Sequence, residues 1–183
     1  LDGFIQPRSD SYLGEYVPLS DSRLEWISGF SGSAGEILIL RNTAILFVDS
    51  RYTIQAVNET INTGIKVVLS SEESLTDYIE NNLKKLKNIA FDPWLHSLSK
   101  IKFLLNVGKK NNLLFTSLKQ NPIDLIWVSN REDAPKTEIK KHIKKYSGIS
   151  ASIKIKKLCL ILKSFNADSY IISQPDAIAW LLN

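Results

Sequence analysis

The chain has 183 residues, 44% of them hydrophobic and 23% charged, a balance that fits a globular protein of one domain, or of one domain and the start of another. No run approaches the roughly 18 apolar residues that a membrane-spanning helix needs, and Leu1 to Arg8 carry neither the basic nor the apolar region of a signal peptide. The net charge of +4 would permit nucleic-acid contact, but the lysines fall on polar helix faces and no basic patch is interleaved with stacking aromatics, so that class is excluded. The sequence contains no Met, so residue 1 is not expected to be the start of the gene product. The single cysteine, Cys159, lies in an apolar helical pattern and is expected to be a buried small hydrophobe. A lone cysteine cannot form an internal disulfide, which points to a reducing, cytoplasmic location.

In chain order, Leu1 to Gln6 begins in an apolar strand pattern, and Pro7 to Leu19 reads as a loop. Ser22-Arg-Leu-Glu25 has the spacing of a capping box and predicts a short helix that stops at Gly29. Ile37 to Leu40 and Ala44 to Val48, separated by Arg41-Asn-Thr43, predict a β-hairpin, followed by a helix over Tyr52 to Glu59. Ile65 to Leu69 reads as a buried strand. Ser70-Ser-Glu-Glu73 has the form of a second capping box, and the helix after it places Leu75, Tyr78, Ile79, Leu83 and Leu86 on one stripe. A strand over Asn88 to Phe91, an amphipathic helix over Ser97 to Lys110, a strand over Leu113 to Thr116 and a helix opened by Pro122 complete the pattern. Alternating strands and helices predict an α/β fold, a mixed β-sheet flanked by helices, over residues 1–130. The polar stretch Ser129 to Thr137 makes residues 131–146 a linker. Residues 147–183 then read as the start of a second α/β domain: a helix over Ser150 to Phe165, a strand over Asp168 to Ser173 and a helix over Pro175 to Leu182.

Few groups are arranged for chemistry. Gly29-x-x-Gly32-x-x-Gly35 is rich in glycine, but phosphate loops follow a strand and open a helix, whereas here a helix precedes and a strand follows; a tight connection is the better reading. His96 and His142 lack metal-ligand spacing; His96 is expected to pack or hydrogen-bond at a helix start, and His142 to be solvated. Gly32-Ser-Ala-Gly35 is not a nucleophile elbow, and Asp49, Asp77 and Asp92 are scattered single acids. Asp49-Ser-Arg-Tyr52 remains. Its Arg51 offers a planar fork, either to Asp49 or Glu36 as a structural pin or to a carboxylate across a dimer or at a substrate-access rim.

Six segments, DGFIQPRSD (2–10), GEYVPLSDSRLEWISGFSGSAG (14–35), LFVDSRYTIQA (46–56), FDPWLHS (91–97), NPIDLIW (121–127) and DAIAWLLN (176–183), resemble in order the N-terminal region of the Xaa-Pro aminopeptidases of the creatinase/prolidase family. Ser50 stands where that family usually has Gly, and NREDAPKT replaces a proline-rich stretch. The resemblance implies a creatinase N-terminal domain, then a truncated related domain, then a C-terminal pita-bread domain outside these residues. In the family that last domain carries two Asp, one His and two Glu binding two divalent metal ions, usually manganese, which activate water for cleavage before proline. No catalytic residue, metal ligand or cofactor of this kind is expected within the chain, which alone is expected to be inactive. By the same resemblance, the N-terminal region serves dimerisation and shapes access of peptides with proline in second position. Phe30, Ser31, Arg51 and Tyr52 are the candidate contact residues, and the chain's own catalytic domain and a second copy are its expected partners. The alternative is a non-catalytic peptide- or protein-binding module of aminopeptidase-like architecture, a FACT-type scaffold.

Overall fold

A computed structural model of the chain describes residues 1–82 and 84–183. These form two compact units, Leu1–Ala134 and Pro135–Asn183. The first is a six-stranded mixed sheet flanked by helices. Its elements are β1 (Gly3–Pro7), α1 (Arg23–Ser28), β2 (Gly35–Leu40), β3 (Ala44–Val48), α2 (Thr53–Glu59), β4 (Ile65–Leu69), α3 (Leu75–Asn82), β5 (Asn88–Phe91), α4 (Leu98–Asn111), β6 (Leu114–Ser117) and α5 (Pro122–Ile126).

The strand order is β4-β3-β2-β1-β5-β6. β1, β2 and β3 pair antiparallel, and Ile5, Leu38 and Ile45 sit in register across them. β4 joins β3 in parallel, β5 joins β1 in parallel, and β6 joins β5 in parallel. Because successive strand residues face opposite sides, β3 sends Ile45 and Phe47 to one face and Leu46 and Val48 to the other, and all four are fully buried. This double burial is why β2 and β3 read as continuous apolar runs. One core layer joins Ile5, Leu38, Ile45 and Phe47 to Leu75, Tyr78 and Ile79 of α3 and Leu104 of α4. The opposite face packs Ile37, Leu46 and Val48 against Leu24 of α1, Phe30 and Ala56 of α2, with Ile123 of α5 and Trp127 closing it over Phe4 and Ala90.

Several local expectations are corrected. Ser22 precedes α1, but its hydroxyl donates to the Pro18 carbonyl instead of capping, because its ψ of 51° turns the side chain away from the helix N–H groups. The second capping box lies four residues later than expected: Ser74 Oγ accepts from Asp77 N and Asp77 Oδ2 from Ser74 N, while residues 70–73 form a turn. Leu75, Tyr78 and Ile79 do form the buried stripe of α3, with Leu86 packed against it; Leu83 lies outside the described residues. β4 is half-buried, as an edge strand with a partner on one side only. On α4, Leu104 and Val107 are buried, but Phe103 and Leu105 face solvent.

The second unit contains α6 (Lys144–Ser147), α7 (Ala151–Ser164) and α8 (Pro175–Leu182). Residues 168–173 are not a strand, because no described segment offers them a ladder partner. Cys159 is exposed, not buried: it lies on a stretch of α7 where Leu160 and Ile161 are exposed as well. Lys154, expected on a solvated face, is 7% exposed; its ammonium donates to the Trp180 carbonyl and to Asn183 Oδ1 at 2.6 Å and so ties α7 to the end of α8. No helix of the described residues is long and apolar enough to cross a membrane.

Candidate functional site

The direction of the strands puts one set of loops on one edge of the sheet. β1, β3, β4, β5 and β6 all end there and β2 begins there, so the loop 29–35 and the corner 49–52 are neighbours. Gly29 ends α1 in the left-handed region at φ 77°, its N–H donating to the Glu25 carbonyl at 2.7 Å; a side chain there would be strained. The chain then folds over Phe30. Its ring is fully buried and meets Tyr52 edge to face at 5.5 Å. Gly32 lies against that ring: a Cβ there would stand 2.2 Å from Phe30 Cζ. Phe30 is therefore the anchor of the loop and is removed from the candidate contact surface, since a ring with no exposure cannot touch a partner.

The other three candidates are brought together at the surface. Ser31 donates through its N–H (2.9 Å) and its hydroxyl (2.7 Å) to the Glu59 carboxylate, and Gln55 donates to both Ser31 Oγ and Glu59. Ser33 Oγ and Tyr52 Oη share a 2.7 Å hydrogen bond. The Arg51 backbone N–H and guanidinium both donate to Asp49, with Nη2 at 2.6 Å from Oδ2, and the guanidinium lies 5.2 Å from the centre of the Tyr52 ring. Arg51 thus pairs with Asp49, one of the two partners its sequence position suggested; Glu36 instead receives Lys100 at 3.0 Å. The Arg51 side chain is 63% exposed, and its Nη1 donates to no described residue, so part of the fork is open to a carboxylate.

The electrostatics suit contact more than catalysis. Hydrogen bonding from Arg51 holds the Asp49 pKa below its ordinary value. For Glu59, burial is the largest single influence and raises the pKa, but the hydrogen bonds from Ser31 and Gln55 together outweigh it and the net shift is downward. Tyr52 is also lowered, chiefly by its bond to Ser33. Both carboxylates are therefore ionised at neutral pH, and neither is poised as a general base. No three His, Cys, Asp or Glu of the described residues are grouped to hold a metal ion.

Sequence reading missed Ser33, Gln55 and Glu59. The signal available was the four-residue spacing of Gln55 and Glu59 on α2, which aligns them along one helix face. It also missed a charged cluster beneath α1. Arg23, 8% exposed, donates to Asp124 through Nε (2.8 Å) and Nη2 (3.1 Å) and to Asp21 at 2.9 Å. Arg131 adds an ion pair to Asp124 at 2.8 Å, donates to the Ser20 carbonyl and covers Trp127, which stacks on Trp26. A separation of 101 residues between Arg23 and Asp124 leaves no trace in local patterning.

This fold, with its loop edge, is matched over residues 11–126 by the creatinase/prolidase N-terminal domain model, and a second model of the same description matches residues 130–183. The chain belongs to the creatinase/prolidase N-terminal domain family. The probable Xaa-Pro aminopeptidase P of Aspergillus flavus is 34% identical over the whole chain, and that of Penicillium rubens 33%. The chain spans 28% and 30% of their lengths, respectively. Among solved structures, an X-prolyl aminopeptidase from Caenorhabditis elegans, described as a cytosolic enzyme with a di-nuclear active site, superimposes with a TM-score of 0.86 at 24% identity, covering 99% of this chain and 30% of that one. An aminopeptidase P from Streptococcus thermophilus gives a TM-score of 0.51 at 19% identity over 69% of this chain and 84% of that one. Both structural matches establish the shared fold: a mixed sheet flanked by helices.

Proposed function

We propose that this chain is the N-terminal, non-catalytic region of a metal-dependent Xaa-Pro aminopeptidase that removes an N-terminal residue preceding proline. The observation that carries this reading is the similarity to Xaa-Pro aminopeptidases P along 100% of the chain, at 34% identity, while it spans 28% of such a relative. In this proposal two divalent ions, manganese by the family resemblance, and the hydrolytic chemistry belong to the remainder of the protein. The chain by itself would then be inactive. Its organisation is proposed as a first domain over 1–130, a linker over 131–146 and the beginning of a related domain from 147. A cytoplasmic homodimer acting on peptides with proline in second position completes the proposal.

Within that protein, the exposed corner formed by Ser31, Arg51 and Tyr52 is proposed to serve dimerisation and to shape substrate access. The half-open guanidinium of Arg51 supports this, because a fork held in place by Asp49 keeps donors available to a partner carboxylate. The reading is tested on the full-length protein with manganese and a peptide bearing proline in second position. Release of the first residue is expected there, and none from the 183-residue chain. Arg51→Ala is expected to raise KM or weaken dimerisation of the full-length protein while leaving the melting temperature of this chain unchanged. Unaltered kinetics together with unaltered dimerisation would remove the contact role.

A further inference from the structure

We propose that the crevice at the carboxyl ends of β1, β5 and β6 binds a cationic nitrogen of a peptide, with Asp92 as counter-ion and Trp94 and Tyr12 as aromatic walls. The topology singles out this place. After β1 the chain moves outward through β2, β3 and β4 on one side, then returns to lay β5 and β6 on the other. β1 and β5 are parallel neighbours whose onward connections diverge, so the loops at their carboxyl ends part and leave a crevice, the favoured ligand position in open α/β sheets. A cavity of about 510 Å³ lies there, lined by Tyr12 from the loop after β1, Trp94 from the loop after β5 and Lys119 from the loop after β6. That volume falls within the roughly 300–1,000 Å³ usual for small-ligand sites.

The charge pattern names the ligand. Three carboxylates line the cavity. Asp21 and Asp124 are neutralised by Arg23 and Arg131. Asp92 is 8% exposed and forms no ion pair among the described residues. Among the described residues its oxygens accept only from neutral donors, Trp94 N–H at 3.0 Å and Asn121 Nδ2 at 3.1 Å, which leaves lone pairs unused there. The neighbouring His96 does not supply the missing charge, because burial keeps its pKa at about 4. A buried carboxylate without a cation is costly and is relieved by one. Trp94 is 72% and Tyr12 56% exposed, although both are large aromatics lining a cavity; their faces suit an ammonium or guanidinium group. Exposed Lys119 at the rim gives the same ligand a donor for a carbonyl or carboxylate, which favours a peptide over a bare amine. The choice of a peptide rests on the peptidase reading above; the choice of a cation rests on the cavity alone.

The test titrates the 183-residue chain, following the backbone amides of Asp92, Trp94 and Leu95 and the Trp94 indole by NMR, with Ala-Pro-Pro, N-acetyl-Ala-Pro-Pro, N-acetyl-Lys-Pro-Pro and butylammonium. Saturable shifts with Ala-Pro-Pro and none with its acetylated form support the proposal and assign the nitrogen to the α-amine. Shifts with N-acetyl-Lys-Pro-Pro alone support it and assign a basic side chain. Asp92→Asn removes the charge, keeps an acceptor for Trp94 N–H and gives up the bond from Asn121 Nδ2, and is expected to weaken binding about tenfold. Trp94→Ala, at an exposed position that leaves the core intact, should weaken it similarly. The proposal fails if acetylated and free Ala-Pro-Pro bind alike, if only butylammonium binds, if nothing binds, or if both folded variants bind as the parent does. Absence of Xaa-Pro hydrolysis by the full-length protein would instead sink the peptidase reading and leave the cation arms of the titration standing.

Discussion

His96 shows what burial does to a titrating side chain. Its ring is 8% exposed and packs edge-on to Phe91 at 5.7 Å, and Nε2 has no hydrogen-bond partner. Burial, helped by the positive charge of Lys100 and opposed by Asp92, holds its pKa down to about 4. The unfolded chain takes up this proton near pH 6.5, the folded chain only near pH 4. The full contribution to stability is therefore present above pH 6.5 and is lost as the pH falls toward 4. Urea unfolding at pH 7 and pH 4.5 should show His96→Leu losing about 2–3 kcal/mol less than the parent between the two. Equal losses would mean that the ring is not held neutral. Asp124 makes the opposite case, a carboxylate shared by Arg23 and Arg131. Asp124→Ala leaves a buried guanidinium short of a counter-charge and is expected to cost about 2–3 kcal/mol by thermal or chemical unfolding. Its sequence neighbours, Ile123 and Leu125, give no hint of this role, because both arginines arrive from distant parts of the chain.

Among the elements, the loop 29–35 is shaped by what it must not contain. Gly32 faces the buried Phe30 ring and Tyr52 Cδ1, and a methyl group there would have to displace both. Gly32→Ala is expected to destabilise the chain by about 1–3 kcal/mol, the cost of overpacking a filled site. A crystal structure or NMR spectra of the variant should show Tyr52 displaced and the Ser33–Tyr52 bond broken; an unmoved Tyr52 would disprove the packing role. The sequence indicated a tight connection here but not which glycine served which need: Gly29 supplies the positive φ, and Gly32 supplies the close approach. The helix starts teach the same point. Asn121 caps α5 just before Pro122, and Ser97 caps α4. The two Ser/Glu boxes do not form, since a capping pattern states only which hydrogen bonds are available. The path of the preceding loop decides whether Ser22 or Ser74 reaches the helix end.

At the scale of the whole chain, residues 132–143, which span the boundary of the two units at Ala134–Pro135, are exposed and carry no regular structure. Brief trypsin treatment is expected to cut first at Lys136, Lys140 or Lys141 and to leave a folded N-terminal fragment that unfolds cooperatively. Early cleavage at Lys84 or Lys109 instead would contradict the division into units.

The sequence by itself determined the order and type of nearly every element up to Trp127. Two-fold and 3.6-fold apolar periodicity, glycine stops and proline starts act over a few residues, and those residues are adjacent in the chain. It also carried the family, through six segments in order. Only the tertiary structure decided the rest. It made β4 an edge, buried Phe30, exposed Cys159, drew Lys154 into contact with α8 and left residues 168–173 without a ladder partner. It brought Arg23, Asp124 and Arg131 into one cluster and set Asp92, in no ion pair among the described residues, in the lining of a cavity. Each of these depends on which distant group arrives opposite a side chain, and burial, charge compensation and strand pairing are properties of that meeting.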